Sequence, residues 1–276
     1  MIYFPNAKIN LGLRITEKRQ DGFHNIETVF HPVGLSDILE VIPLPEDSLK
    51  KNNLINTGNQ IDVDPEDNLC MKAWHVLNEK HSLPFVSIHL HKVIPFGAGL
   101  GGGSSNAAFV LMALNDLFKL NLPAIELESL AARIGSDCSF FINNKPLFAM
   151  ERGDVFEPVA IDLSGVHIII IHPGILVSSG WAYSRMKAKK HDECLKEIIE
   201  TDPAKWQGRV INDFEEEVFK VYPLIRKIKE SLLDSGAFYA SMTGSGSAVF
   251  GLYDKKIDTP DIKEKFPEMF FWEGVL

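Results

Sequence analysis

Glycines crowd into one short segment, and this segment constrains the fold more than any other feature. Residues 95–105 read Pro-Phe-Gly-Ala-Gly-Leu-Gly-Gly-Gly-Ser-Ser. They lie between an alternating segment at residues 86–90 and apolar residues at helical spacing over residues 107–117. Glycine tolerates positive φ and carries no Cβ, so several backbone N–H groups can converge on one anion. The N-terminus of the following helix adds unpaired N–H groups. The segment therefore predicts a phosphate-binding loop.

Three interpretations of this loop compete. A merely flexible loop is disfavoured, because such loops rarely sit tightly between a strand and an alanine-rich helix. A dinucleotide-binding turn matches in part, since Gly97, Gly99 and Gly102 satisfy G-x-G-x-x-G. That turn also needs a second strand, whereas the chain enters another predicted helix at Pro123. A nucleoside triphosphate cradle remains, but not a Walker loop, because no lysine precedes Ser104.

Composition narrows the classes of partner. The 276 residues include 28 basic and 37 acidic side chains, for a net charge of −9, which argues against non-specific nucleic-acid binding. Three isolated cysteines indicate neither a zinc site nor a disulfide framework and are typical of a reducing compartment. The first residues lack a signal peptide, and the aliphatic run at residues 168–171 is too short to span a bilayer. We expect a soluble, cytoplasmic protein that does not bind membranes.

The hydrophobic pattern predicts an α+β chain in two lobes, an N-terminal domain at residues 1–150 and a C-terminal domain at residues 151–276. Apolar residues alternate with Lys8, Asn10 and Arg14 in a first strand with one polar face. Residues 44–65 are polar and turn-rich. Further strands are predicted at residues 28–33, 36–42, 86–90, 166–171 and 248–253, and helices from about residue 67 and at residues 107–117, 123–134, 187–201, 214–222 and 223–235.

A second glycine motif, Met-Thr-Gly-Ser-Gly-Ser at residues 242–247, lies about 140 residues after the first. The two motifs in this order resemble the kinase superfamily of galactokinase, homoserine kinase, mevalonate kinase and phosphomevalonate kinase, the GHMP kinases. Within it, the chain most resembles the family of 4-diphosphocytidyl-2-C-methyl-D-erythritol kinases. Matching segments extend over nearly the whole chain: residues 5–11, 21–24, 66–69, 95–108, 134–137, 172–174, 212–215 and 242–247.

The resemblance implies a two-domain GHMP-kinase-like fold. Its N-terminal nucleotide domain would be like the second domain of ribosomal protein S5, and its C-terminal domain would be ferredoxin-like. It also implies that ATP, with Mg²⁺, phosphorylates the 2-hydroxyl of a cytidylyl diphosphate substrate in the non-mevalonate isoprenoid pathway. The chain would act as a monomer or weak homodimer, with no metal ligands of its own.

Other activities stay open. Another small-molecule GHMP kinase is one alternative, acting on mevalonate, homoserine or galactose. A diphosphomevalonate decarboxylase-like lyase is a second, and a non-catalytic nucleotide-binding protein is a third. The Asp-Gly-Phe-His turn at residues 21–24 and the Asn-Ala-Lys-Ile-Asn start at residues 6–10 favour the cytidylyl substrate. Retention of both Lys8 and Asp137 speaks against a non-catalytic protein.

Two residues are the candidate catalysts. Phosphoryl transfer to an alcohol needs charge neutralisation and an acceptor for the hydroxyl proton. The resemblance implies that Asp137 is this acceptor and that Lys8 supports it, because a nearby ammonium keeps a carboxylate ionised. The alternatives are that Asp137 caps a helix and that Lys8 lies on a solvated strand face.

The remaining candidates bind ligands. The resemblance places Phe23, His24 and Tyr183 at the cytosine, where relatives carry Tyr at the position of Phe23. This sequence departs from the family pattern at one position: relatives usually carry a proline directly after the position of Cys138, and this chain does not. Tyr183 could instead be core, His24 an ordinary turn residue, and Asn106 solvent-facing. The full substrate set is Asn10, Phe23, His24, Tyr183, Thr243 and Gly244. The ATP set is Pro95, Phe96, Gly97, Ala98, Gly99, Leu100, Gly101, Gly102, Gly103, Ser104, Ser105, Asn106, Asn68 and Lys92.

Overall fold

The computed structural model describes residues 1–45, 51–60, 63–64, 67–257 and 260–276. The chain divides into two compact units. The first unit comprises Met1–Ala7, Leu35–Phe96 and Gly101–Lys145, and the second comprises Lys8–Gly34, Gly97–Leu100 and Pro146–Leu276. The domain boundary expected near residue 150 stays a prediction.

Twelve strands and nine α-helices are found in the described residues. The strands are β1 (Ile2–Tyr3), β2 (Asn6–Lys18), β3 (His24–Ser36), β4 (Ile38–Pro43), β5 (Asn53–Gly58), β6 (Val86–Lys92), β7 (Leu147–Met150), β8 (Val155–Pro158), β9 (His167–His172), β10 (Tyr239–Met242), β11 (Val249–Tyr253) and β12 (Phe270–Val275). The helices are α1 (Leu69–His81), α2 (Gly102–Leu117), α3 (Ala124–Ile134), α4 (Phe140–Asn143), α5 (Ser179–Arg185), α6 (Leu195–Ile199), α7 (Phe214–Val221), α8 (Pro223–Asp234) and α9 (Pro260–Lys265).

The first unit packs helices on one face of a four-stranded sheet in the order β1-β4-β6-β5. Only the β5–β6 pair is parallel. Alternate residues of β4 and β6, such as Leu39 and Ile88, join apolar residues of α1, α2 and α3 in one buried core. This follows from the period-two pattern of the strands meeting the apolar stripes of the helices.

The second unit contains two four-stranded sheets, ordered β2-β3-β7-β8 and β10-β11-β9-β12. In the latter, β10–β11, β11–β9 and β9–β12 all pair antiparallel. Helix α8 packs against β10 and β11. Phe214, Ile225 and Ile228 of α7 and α8 are buried in a core that also includes Ile169 and Ile171 of β9. Each of these helices and strands thus contributes one apolar face to this core.

Most predicted elements are confirmed. The strands expected at residues 28–33, 36–42, 86–90, 166–171 and 248–253 appear as β3, β4, β6, β9 and β11. The helices expected from about residue 67 and at residues 107–117, 123–134, 214–222 and 223–235 appear as α1, α2, α3, α7 and α8. The chain after α2 enters α3 and not a second strand, which agrees with rejecting the dinucleotide-binding turn.

The helix predicted at residues 187–201 is wrong over most of its length. Only Leu195–Ile199 is helical. The charged residues before it are held by contacts distant in sequence: the Lys189 N–H donates to the Ile15 carbonyl, and His191 pairs with Asp213 at 3.2 Å. These tertiary contacts override helix propensity, which is a weak preference for such residues.

The polar segment at residues 44–65 also differs from its prediction. Asn53–Gly58 forms the edge strand β5, which pairs parallel with β6. An edge strand with one open side shows little hydrophobic alternation, so the pattern did not reveal it. Residues 46–50, 61–62 and 65 of this turn-rich prediction lie outside the described residues, as does residue 66 of the matching segment at residues 66–69.

The polar face of the first strand is not solvated. Lys8, Asn10 and Arg14 of β2 are each at most 3% exposed. Gly12 lies on the same face, and the side chains of Leu195 and Val210 cover it closely. Within the described residues, no helix is long and apolar enough to cross a membrane.

Candidate active site

The glycine loop has the conformation its sequence demands. Gly97, Gly99 and Gly101 take φ values of +65°, +79° and +71°, a region that favours glycine. Gly101 is the N-cap of α2, and its carbonyl accepts the Ser105 N–H at 2.9 Å. A loop of left-handed glycines thus leads directly into a helix N-terminus, which confirms the predicted strand–loop–helix order.

In the second unit, Gly99 lies against the second glycine motif. A Cβ on Gly99 would stand 2.1 Å from the Thr243 carbonyl oxygen, so only glycine fits. The Thr243 hydroxyl donates to the Gly99 carbonyl at 3.1 Å, and the Ala248 N–H donates to the Ala98 carbonyl at 3.0 Å. Residues 97–100 are therefore held against residues 243–248.

The same threonine belongs to a buried polar network with β2. The Lys8 ammonium donates to Asn10 Oδ1 at 2.6 Å, and the Thr243 hydroxyl lies 3.1 Å from that oxygen. The Asn10 N–H donates to Thr243 Oγ1 at 3.1 Å, and its amide Nδ2 donates to Thr28 Oγ1 at 3.0 Å. The Lys8 ammonium also lies 4.8 Å from the centre of the Phe30 ring. Three predicted site residues, Lys8, Asn10 and Thr243, are thus brought together.

Asn212, in the family-matching segment at residues 212–215, holds the second glycine motif by hydrogen bonds. Its Nδ2 donates to the carbonyls of Met242 and Gly244 at 2.7 and 2.9 Å. Its Oδ1 accepts the Phe214 N–H at 3.1 Å at the start of α7. One buried amide therefore ties the predicted substrate residue Gly244 to a helix start.

In the first unit, Asp137 lies in the turn between α3 and α4. It is not a helix cap, because the N-cap of α4 is Ser139. Burial raises the pKa of the neighbouring Cys138 thiol to about 12, opposed by a hydrogen bond with the Ser104 hydroxyl and reinforced by the Asp137 carboxylate. Because Ser104 belongs to the first turn of α2, the Asp137 turn lies beside the helix that follows the glycine loop.

The other first-unit candidates are mostly buried. Asn68 caps α1 by accepting the Cys70 N–H at 2.9 Å. Ser105 is fully buried, and its hydroxyl has no hydrogen-bond partner in the part of the chain that the structure describes. Asn106 is buried rather than solvent-facing, since its amide bonds both Lys92 and Asp37. The sequence reasoning missed Asp37, which no motif or spacing marks.

Two of the aromatic candidates of the second unit form a cluster. The rings of His24 and Tyr183 stack with centres 5.3 Å apart, and Tyr183 meets Phe214 edge-on at 4.9 Å. Burial, and then the charge of Lys18, lower the pKa of His24, so the ring is held neutral. Phe23 is more than half exposed, with the Arg152 guanidinium 5.3 Å from its ring centre.

Known proteins are similar to this chain in sequence. Residues 68–145 match the family described as GHMP kinases N terminal domain, and residues 192–271 match GHMP kinases C terminal. A protein of Bacteroides fragilis called 4-diphosphocytidyl-2-C-methyl-D-erythritol kinase is 49% identical over 96% of this chain and 97% of its own. This chain belongs to the GHMP kinase family.

Solved structures agree with this assignment. The crystal structure of a 4-(cytidine 5'-diphospho)-2C-methyl-D-erythritol kinase matches this GHMP kinase with a TM-score of 0.79 at 30% identity, covering 99% of this chain and 98% of that one. Methanococcus jannaschii mevalonate kinase matches with a TM-score of 0.73 at 15% identity, covering 100% and 98%, which reports the fold alone. The predicted two-domain α+β GHMP kinase fold is confirmed.

Membership of the family implies that this GHMP kinase uses ATP. Among the residues that the structure describes, no three His, Cys, Asp or Glu side chains are grouped to hold a metal ion. A metal that arrives with the nucleotide needs few protein ligands, because Mg²⁺ keeps several waters and takes phosphate oxygens.

Proposed function

We propose that this kinase transfers the γ-phosphoryl group of ATP to the 2-hydroxyl of 4-diphosphocytidyl-2-C-methyl-D-erythritol, a step of the non-mevalonate isoprenoid pathway. The observation that carries the proposal is the 49% identity over 96% of the chain to a relative of that name. A solved enzyme of the same name shares the fold at 30% identity. Other GHMP kinases match at about half that identity.

Asp137 is proposed as the base. The substrate oxygen attacks the γ-phosphorus while the bond to the β–γ bridging oxygen breaks and ADP leaves. The hydroxyl proton passes to the Asp137 carboxylate. In support, Asp137 lies in the turn between α3 and α4, and Cys138 beside it bonds Ser104 of the α2 first turn. A bound Mg²⁺ would neutralise charge on the phosphate oxygens.

Lys8 is proposed to stabilise the charge that develops near the acceptor oxygen. The ammonium is buried, and Asn10 and the Phe30 ring fix its position. A cation held in a water-poor site needs no reorganisation during the reaction, so it stabilises the transition state more than a solvated one would. The pairing of Lys8 with Asp137 stays a prediction, because the two residues belong to different units.

The cytidylyl group is proposed to bind at Phe23, His24 and Tyr183. A cytosine has a flat face that stacks on aromatic rings and an edge that takes hydrogen bonds. His24 offers a buried Nε2 without a hydrogen-bond partner among the described residues, and burial keeps its ring neutral. The glycines of residues 95–105 would hold the triphosphate, with Asn68 and Lys92 near adenine. We also propose a cytoplasmic monomer or weak homodimer that binds no nucleic acid.

The substrate assignment is tested by incubating the purified protein with ATP and each acceptor in turn. Phosphorylation of 4-diphosphocytidyl-2-C-methyl-D-erythritol, identified by mass, is the expected result. If mevalonate, homoserine or galactose is phosphorylated and the cytidylyl compound is not, that acceptor would replace the proposed substrate. ATP binding without any product would favour a non-catalytic protein.

The base is tested by Asp137→Asn. We expect kcat to fall by at least about a thousandfold, because the amide cannot accept the proton, while the Kd for ATP changes little. Asp162→Asn is the matched control, since Asp162 is exposed in a turn of the second unit. Turnover within about tenfold of the wild type would remove Asp137 from this role.

A further inference from the structure

The carboxylate of Asp37 is fully buried and holds four hydrogen bonds. Its Oδ1 accepts the N–H groups of Val93 and Ile94 at 2.8 and 2.9 Å. Its Oδ2 accepts from the Lys92 ammonium and from Asn106 Nδ2, the latter at 2.8 Å. One side chain therefore joins the end of β6, the two residues after it and the first turns of α2.

Lys92 completes the cluster. Its ammonium also donates to Asn106 Oδ1 at 3.2 Å. The same nitrogen lies 3.0 Å from the place where a Cβ on Gly102 would stand, so Lys92 presses against the start of α2. Both ends of the Asn106 amide are used, one by each member of the ion pair.

Stability alone does not readily explain this buried ion pair. A buried ion pair often contributes no more stability than apolar side chains of the same size. A cation at a helix N-terminus is also disfavoured by the helix dipole unless an anion compensates it. Asp37 provides that compensation, and its backbone contacts fall at residues 93 and 94, just ahead of the glycine loop.

We propose that Asp37 is a positioning residue for phosphoryl transfer. It fixes residues 93–94 and the first turns of α2 in one geometry before the nucleotide binds. A loop that is already ordered loses less conformational entropy on binding, so the affinity for ATP is higher. This proposal rests on the proposed function, because it takes ATP as the ligand of the loop.

The kinetic test is Asp37→Asn in the full chain. The amide can accept only on one side, so it cannot replace the four acceptor contacts, and Lys92 loses its counter-ion. We expect the KM for ATP to rise roughly tenfold while the KM for the alcohol acceptor stays within about twofold. Unchanged KM for ATP in a folded variant overturns the proposal.

Ile88→Ala is the matched control. Ile88 is fully buried in β6 of the same unit but touches neither the ion pair nor the loop by hydrogen bond. A cavity there should lower the melting temperature, as Asp37→Asn should also do, without changing the KM for ATP. An equal KM shift in both variants would mean that general destabilisation is the cause, and the proposal would fail.

Hydrogen exchange on the wild-type protein keeps the proposal testable if the variant does not fold. We expect the N–H groups of Val93 and Ile94 to be protected already without nucleotide, with little change on adding a non-hydrolysable ATP analogue. Rapid exchange that slows only with the analogue would contradict prior positioning. If the wild type binds no ATP at all, the proposed function fails first, which the acceptor assays reveal independently.

Discussion

At the scale of single residues, the site depends on buried side chains that each make several polar contacts, as Thr243 does. The Thr243 hydroxyl accepts from the Asn10 N–H and lies within 3.1 Å of both Asn10 Oδ1 and the Gly99 carbonyl. The sequence pointed to Thr243 only through its glycine-rich neighbours. Its link to Asn10, 233 positions away, arises from the fold.

Thr243→Val tests this network. The isosteric valine leaves the buried Asn10 N–H without an acceptor, so the free energy of unfolding should fall by about 1–3 kcal/mol. Because Asn10 also positions Lys8, kcat should fall as well. Denaturant titration and initial rates measure the two effects. Thr243→Ser keeps the hydroxyl and should retain most of the stability and most of the kcat. A serine variant that loses as much of both as the valine variant would show that the hydrogen bonds of this hydroxyl are unimportant.

Tyr183→Ala tests the cytosine site. Stacking of a base on an aromatic ring contributes about 1–3 kcal/mol, so the KM for the cytidylyl acceptor should rise by about fivefold or more while the KM for ATP stays the same. Loss of the ring also exposes one face of His24. Tyr183→Phe keeps the ring and should behave like the wild type. A rise in both KM values for the alanine variant would point to misfolding instead.

At the scale of elements, the loop and helix can be read from the sequence because glycine chemistry is local. Positive φ at Gly97, Gly99 and Gly101, and the start of the helix that follows, are set by residues close together in the chain. The helix predicted at residues 187–201 failed for the opposite reason. His191 and Lys189 bond residues far away in sequence, which local propensity cannot register.

Gly99→Ala tests whether the close contact between Gly99 and residue 243 matters beyond the backbone strain of a positive φ. The added Cβ would meet the Thr243 carbonyl oxygen at 2.1 Å, so the substitution should cost more stability than strain alone and should abolish turnover. Gly208→Ala is the matched control, with φ +85° and open space around its Cβ, and should cost only about 1–2 kcal/mol. Equal losses in the two variants, measured by denaturant titration, would show that the contact with residue 243 is unimportant.

At the scale of the whole molecule, buried histidines make stability depend on pH. Burial lowers the pKa of His31 below its usual 6.5, opposed by its bond to the Pro32 carbonyl. Burial likewise lowers the pKa of His172, opposed by a backbone bond at Ile175. Both rings are therefore neutral in the folded chain at a pH where the unfolded chain begins to bind protons.

The free energy of unfolding should therefore be highest above about pH 6.5 and fall as the pH drops through the lowered pKa values. Denaturant titrations between about pH 7.5 and pH 5 measure the slope. The double variant His31→Gln/His172→Gln removes both groups and should reduce the slope, leaving the contribution of His24, whose pKa burial also lowers. A slope that is the same in the double variant would assign the pH dependence to other groups.

The sequence by itself determined the two glycine motifs, the period-two strands and most helices, because each depends on residues close together in the chain. It also determined the family, because these local motifs follow one another in a characteristic order. Only the tertiary structure decided which polar residues are buried and with what partners. Asp37 carries no local signal, yet it binds Lys92 and Asn106 across 55 and 69 positions. The physical reason is that a buried charge must find its partners in space, and the fold alone sets which residues those are.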